Sequence, residues 1–185
     1  MASRLSTLLR WCVLALPLVT AQGSGRVSAQ NVDEARLTAA LISKFPEFVS
    51  WPPEVREAPS LVFCVTRRDP LEQHLRALVE GVRIDDRPLQ VHVLEAAADT
   101  SRCHVLFVPA DSLVEPSILL AGVAGRPVLT VGEHSQFLRD GGIITLHHVD
   151  GRLRFDANPD AARHAGLRLS SHLLRLAVRA RGGRP

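Results

Sequence analysis

The chain has no tyrosine, one methionine and two tryptophans, and aromatics make up only 4% of its 185 residues. Lys44 is its only lysine; every other basic position is arginine, a bias that fits genome composition better than a function. Nowhere do basic clusters interleave with aromatics, so nucleic acid is excluded as a partner. Apart from one short N-terminal run, no apolar stretch approaches the roughly 20 residues of a membrane-spanning helix. The eight histidines contain no HxH or HxxxH grouping. His147 and His148 are adjacent, as are Cys103 and His104, and neighbours on a strand point to opposite faces. No metal site is therefore expected. Gly141-Gly142 lacks the GxGxxG spacing of a dinucleotide loop, so no cofactor is expected either. Ser170-Ser171-His172 has the atom types of a nucleophile and base, but no GxSxG elbow surrounds it, and consecutive helical residues do not face one another. No catalytic residue emerges, and the chain does not read as an enzyme.

What is present begins with Arg4 and Arg10, an apolar core "WCVLALPLV" and a small-residue exit "VTAQ". That sequence reads as a secretory signal over residues 1–21, cut after Ala21, with Ala29 of "VSAQ" as the alternative cut. Residues 22–31 read as a flexible leader and 32–180 as a single α/β domain. The expectation is an exported, soluble protein. Without Arg4 and Arg10 the chain carries 20 basic against 19 acidic residues, a net charge of about +1. Cys12 leaves with the signal. The remaining pair, Cys64 and Cys103, reads as a disulfide in an exported chain, two buried thiols being the alternative.

Along the domain, apolar residues from Val32 to Phe48 recur at helical spacing, with Pro46 set to kink or end the helix near Phe45. "SLVFCVT", "RPLQVHVLEA", "CHVLFVPA", "RPVLTVGE" and "GIITLHHVDG" read as strands, the apolar ones as buried on both faces. "DPLEQHLRALVEG" opens on an Asp69 cap with Pro70 at the first helical position, and "EPSILLAGVAG" reads as a second short helix. Asp150-Gly151 signals a hairpin into "RLRFDAN". A final helix is expected from Pro159 to Arg179, with Ala162, Ala165, Leu169, Leu173, Leu176 and Ala180 on one stripe. The whole predicts a three-layer α/β sandwich: a mostly parallel central sheet, one antiparallel hairpin and flanking helices.

Two stretches are candidates for function. "KFPEFVSWPPEV" gathers Phe45, Phe48 and Trp51 in a chain poor in aromatics. Their spacing favours core packing; a partly exposed aromatic surface of the interface-anchor kind is the alternative. In "RLRFDAN", Arg152, Arg154 and Asp156 share one strand face, and Leu153, Phe155 and Ala157 the other. Either the polar face meets a ligand or partner, or it is an edge strand charged against aggregation, and the spacing favours the second.

Together "KFPEFVSWP", "LVFCVTRRDPL", "CHVLFVP", "PVLTVGE", "DGGIITLHHVDGRLRFDAN" and "AGLRLSSHLLRLA" resemble, in order, the YfiR family of exported bacterial proteins. The opening and closing motifs are the specific ones. The resemblance implies a periplasmic regulator that represses a membrane-bound diguanylate cyclase through its periplasmic sensing domain, lowering cyclic-di-GMP and biofilm formation. It also implies a homodimer. The alternative is a periplasmic small-molecule-binding protein, or an adaptor for a sensor kinase or transporter. Cys64 and Cys103 match one family disulfide, while a second cysteine pair of some members is absent. Phe45, Phe48, Trp51, Arg152, Arg154 and Asn158 are the motif positions carried over as candidate partner-binding residues. Ala157 departs from a commoner "RF-x-IN" form.

Overall fold

A computed structural model describes residues 24–67, 70–95 and 99–180, with backbone alone over 24–31. The stretch read as a signal and the Asp69 cap lie outside the described residues. The chain opens with α1 (Ser24–Lys44), which passes into a single 3₁₀ turn at Phe45–Phe48, where Pro46 was expected to end the helix. The helix reaches back into the stretch read as a flexible leader. Residues 24–31 contain no proline, and extending a helix already anchored by its C-terminal half fixes one residue per hydrogen bond gained.

β1 (Val49–Ser50) and the one-turn α2 (Pro53–Arg56) follow, then β2 (Leu61–Val65), α3 (Pro70–Val79), β3 (Arg83–Ile84) and β4 (Arg87–Val93). β5 (Val105–Val108), α4 (Pro116–Val123), β6 (Leu129–Gly132), β7 (Ile144–Val149) and β8 (Arg152–Ala157) complete the main sheet. Its order is β3-β4-β2-β5-β6-β7-β8. β4, β2, β5, β6 and β7 run parallel, and the β7–β8 hairpin turns on Asp150 and Gly151, both at positive φ, as the turn chemistry predicts. The sheet also has a second, unforeseen hairpin: β3 pairs antiparallel with β4 through Asp85 and Asp86, at φ 49° and 62°. Aspartate tolerates that left-handed region better than most residues, which is how the turn forms without glycine.

The expected single C-terminal helix is corrected. α5 (Pro159–His164) is capped by the Asn158 carboxamide and ends at Gly166, whose φ of +72° a helix cannot continue through. β9 (Arg168–Leu169) comes next. A new helix, α6 (Ser171–Leu176), then starts from the Ser170 hydroxyl, which accepts the Leu173 amide at 3.1 Å. Of the supposed stripe, Ala162 and Leu173 are buried, but Leu176 is 54% exposed.

One sheet face, bearing Phe63, Phe107, Val131, Leu146 and Phe155, is covered by α1, α3 and the terminal elements in the larger core. The other carries Cys64, Leu106 and Val108 under α4 and the 133–142 loop. There, Phe137 lies fully buried between Gly132 and Gly142; a Cβ at those positions would stand 2.5 Å and 2.3 Å from its ring. Gly142→Ala should therefore lower stability by about 1–3 kcal/mol through overpacking. Thermal melts of Gly142→Ala, Phe137→Leu and the double variant test this, with the double expected to cost less than the two singles together. Simple additivity would show that the ring is not what the glycines accommodate. No helix among the described residues is long and apolar enough to cross a membrane.

Candidate functional site

The two signature motifs, far apart in sequence, meet. β1 pairs antiparallel with β9, Val49 opposite Leu169 and Ser50 opposite Arg168, and the Ser170 amide donates to the Phe48 carbonyl at 2.9 Å. The Phe48 ring stacks on His172 at 5.4 Å between centroids. Phe45 turns inward, 1% exposed, and meets Phe155 of β8 edge-to-face at 5.3 Å. Trp51 is also buried, and its indole Nε1–H donates to the Pro46 carbonyl at 3.3 Å. Phe45 and Trp51 are thus packing anchors, and only Phe48 keeps a partly open ring. The Ser170 and His172 that could have suggested hydrolysis are occupied, one as a helix cap and the other in the stack.

Arg152 and Arg154 lie elsewhere, on the outer face of β8, where the alternation placed them. Both are exposed, opposite Val149 and His147 of β7. Asn158 joins neither group: its carboxamide accepts the Ala161 amide at 3.0 Å and donates to the Leu138 carbonyl at 3.3 Å. That is a cap and a loop tie. The six motif residues therefore divide among a core anchor (Phe45, Trp51), a terminal clasp (Phe48), an exposed strand face (Arg152, Arg154) and a helix cap (Asn158).

Cys64 and Cys103 form a disulfide, Cα atoms 5.6 Å apart, both buried on the α4 face. It joins β2 to the segment entering β5, beside it in the sheet. Next to it the His104 backbone amide donates to the Val62 carbonyl, while its Nδ1 accepts the Val62 amide at 3.1 Å. Burial, then the positive charges of Arg87 and Arg126, hold the imidazole pKa below its usual 6.5. A histidine depressed in the folded state stabilises above its unfolded pKa, and that contribution is lost as pH falls below about 6.5.

Sequence reasoning gave no specific sign of a crevice assembled from separate elements. Chain order in the sheet reverses between β2 and β5, and beyond the carboxyl ends of such strands α/β folds form crevices suited to ligands. Here a hollow of about 440 Å³ is lined by Glu34 and Thr38 of α1, Arg67, Asp111 and Glu133. A neighbouring hollow of about 310 Å³ shares Glu34 and Glu133 and reaches His147 and His148. Arg67 pairs with Asp111 at 2.7 Å and His148 with Glu34 at 3.5 Å. The Glu133 carboxylate accepts the Ala110 amide at 3.1 Å. Its pKa is nevertheless raised above 4.5, chiefly by burial and further by the charges of Glu34 and Asp111, against the opposing pull of that bond and of His148.

A carboxyl raised in the folded state stabilises at low pH and loses that contribution as pH climbs through the folded value. Glu133→Gln should therefore raise the melting temperature at neutral pH and leave it nearly unchanged below about pH 4.5. Melting curves across pH check this, and an equal shift at every pH would mean that the charge is not the cause. Among the described residues no three metal-binding side chains converge.

A larger cleft of about 560 Å³ opens at the opposite end of the sheet, between α4 and α5, lined by Leu120, Ala124, Ile143, Ala161, Arg139 and Asp160.

Compared with known proteins, residues 35–178 match a family model described as YfiR/HmsC-like. A crystal structure of a conserved domain protein from Vibrio cholerae O1 biovar El Tor is similar at 12% identity and a TM-score of 0.48. The similarity spans 80% of this chain and 60% of that one, so the chain corresponds to less than two thirds of that protein.

Proposed function

Because this chain belongs to the YfiR/HmsC-like family, we propose that it is a periplasmic binding protein that represses a membrane-bound diguanylate cyclase. In this reading it docks on the enzyme's exported sensing domain and holds it in the low-activity arrangement. The family match over nearly the whole described domain carries the proposal. The structure is compatible with a binding role: the motif residues that are buried serve the fold, and an exposed strand face is left over.

Repression by docking requires tighter binding to the inactive arrangement than to the active one, since equal affinity shifts no population. A shift from almost wholly active to almost wholly inactive needs a preference of about 10⁴-fold. The decisive measurement is cross-linking capture in the native periplasm, paired with cyclic-di-GMP levels after gene deletion. Recovery of a cyclase, with cyclic-di-GMP rising several-fold on deletion and falling on complementation, is the expected result. Unchanged cyclic-di-GMP with a sensor kinase or transporter on the bait would replace the pathway and keep the adaptor role.

The crevice at the carboxyl ends of β2 and β5 favours one second reading, a small-molecule-binding protein. Ligand-dependent melting of the isolated protein tests it, a ligand at one hundred times its Kd adding about 2.7 kcal/mol.

A further inference from the structure

β8 is the edge strand of the seven-stranded sheet, and the chain covers only half of it. After α6 the backbone returns alongside: the Val178 amide donates to the Phe155 carbonyl, and the Ala157 amide to the Arg179 carbonyl, both at 2.9 Å. A parallel bridge joins Ala157 to Ala180. Phe155 and Ala157 therefore aim their backbone groups off the edge, and Leu153, two residues earlier, aims its own the same way. Among the described residues the returning segment makes no such bond to Leu153. An unpaired stretch of strand edge is a template for another strand.

On the outer face the charged side chains bordering that open stretch have one sign, whereas on the inner face Leu153 shares a hollow with Glu34 and Glu133. Arg152 and Arg154 are exposed, and neither meets a carboxylate among the described residues. The acid of the same row, Asp156, is turned inward: its side chain is 15% exposed, and its carboxylate accepts the Arg179 amide at 2.9 Å. Arg179 adds a third exposed guanidinium-bearing residue beside the strand. Across the hairpin, Val149 is 39% exposed, giving the row an apolar neighbour. Asp150 lies beyond the strand, in the turn.

We propose that the open half of β8 is a docking edge for an extended, acidic segment of a partner protein, which adds as a further strand and sets alternate Asp or Glu side chains beside Arg152 and Arg154. Backbone pairing holds such a segment and alternate side chains select it. This rests on the regulator reading above and names the surface through which it would act.

The test uses the intact ¹⁵N-labelled protein and two short peptides, one alternating glutamate with valine and one alternating lysine with valine. The glutamate peptide should shift the amide signals of Arg152 to Phe155 saturably and in a salt-dependent way, and the lysine peptide should not. Arg152→Glu/Arg154→Glu should weaken the glutamate peptide about tenfold or more, because like charges then face one another. Arg152→Gln/Arg154→Gln, a milder change if folding suffers, should weaken it less.

Equal binding of both peptides, shifts confined to other elements, or no shift at all would overturn the proposal. So would binding to phosphatidylglycerol vesicles through these arginines without peptide selectivity. Failure here leaves the regulator reading to the cyclic-di-GMP measurement. Peptide binding together with unchanged cyclic-di-GMP would remove that reading and keep the docking edge.

Discussion

Phe45→Ala is expected to lower the unfolding free energy by about 3–5 kcal/mol, the usual cost of truncating a fully buried phenylalanine. The ring is 1% exposed at the junction of α1 with β8. Its removal forfeits both its burial and the edge-to-face contact with Phe155, a pair worth about 0.5–1.5 kcal/mol beyond its area. The gap cannot close easily, because Pro46 restricts the backbone immediately after it. In a chain of this length the melting temperature should fall by about 10 °C. Trp51→Ala should behave similarly, losing its burial and leaving the Pro46 carbonyl without its indole donor. Phe48→Ala should cost much less, its ring being half-buried against His172. A melting series over the three variants checks the order. A Phe48 variant that melts lowest, or a thermally unchanged Trp51 variant that has lost only its partner, would reverse the assignment of anchor and surface.

The second large effect is expected at the disulfide. Cys64 and Cys103 are 39 residues apart, and in the chain-entropy account closing such a loop stabilises by about 4 kcal/mol. Against a typical total of about 5–15 kcal/mol, that is a large share. Cys64→Ala/Cys103→Ala should show a lower denaturant midpoint, and a reductant should bring the wild type to the same midpoint. Alanine is the informative replacement, since both sites are buried among apolar side chains and serine would add unpaired hydroxyls. Both sulfurs are buried, so reduction has to wait for local opening and should be slow under native conditions. Rapid reduction with no change in midpoint would contradict the account.

Much of this was legible from local chemistry. Asp150-Gly151 announced a hairpin because a two-residue turn at positive φ is specified by its own residues. The two faces of Arg152–Ala157 were legible because a strand has a period of two, and the cysteine pair because two cysteines left in a chain read as exported are expected to pair. Where the reading failed, residues were doing two jobs at once. Ala162 and Leu173 continue a helical period, yet Gly166 and Ser170 between them are a stop and a start. Asp85-Asp86 turns without the glycine that usually marks such a turn. The crevice around Glu133 draws on α1, β2, β5 and β6, and periodicity says nothing about which strand ends become neighbours. Phe45, Phe48 and Trp51 were set apart as a group; their division into two buried rings and one half-buried ring depends on β8 and α6, which come more than a hundred residues later.

The clasp between β1 and β9 also bears on how the molecule is made. The first strand of the domain finds its partner at residues 168–169, and Leu167 and Leu173 fill the same core as Ala39 and Ile42. Contacts of such sequence separation carry the loop-closure cost that slows folding. Until residues 167–173 have been synthesised, Val49 and Ser50 have no strand beside them and part of the core has no lid. A chain that lacks residues 167–173 is thus held short of its final compact state.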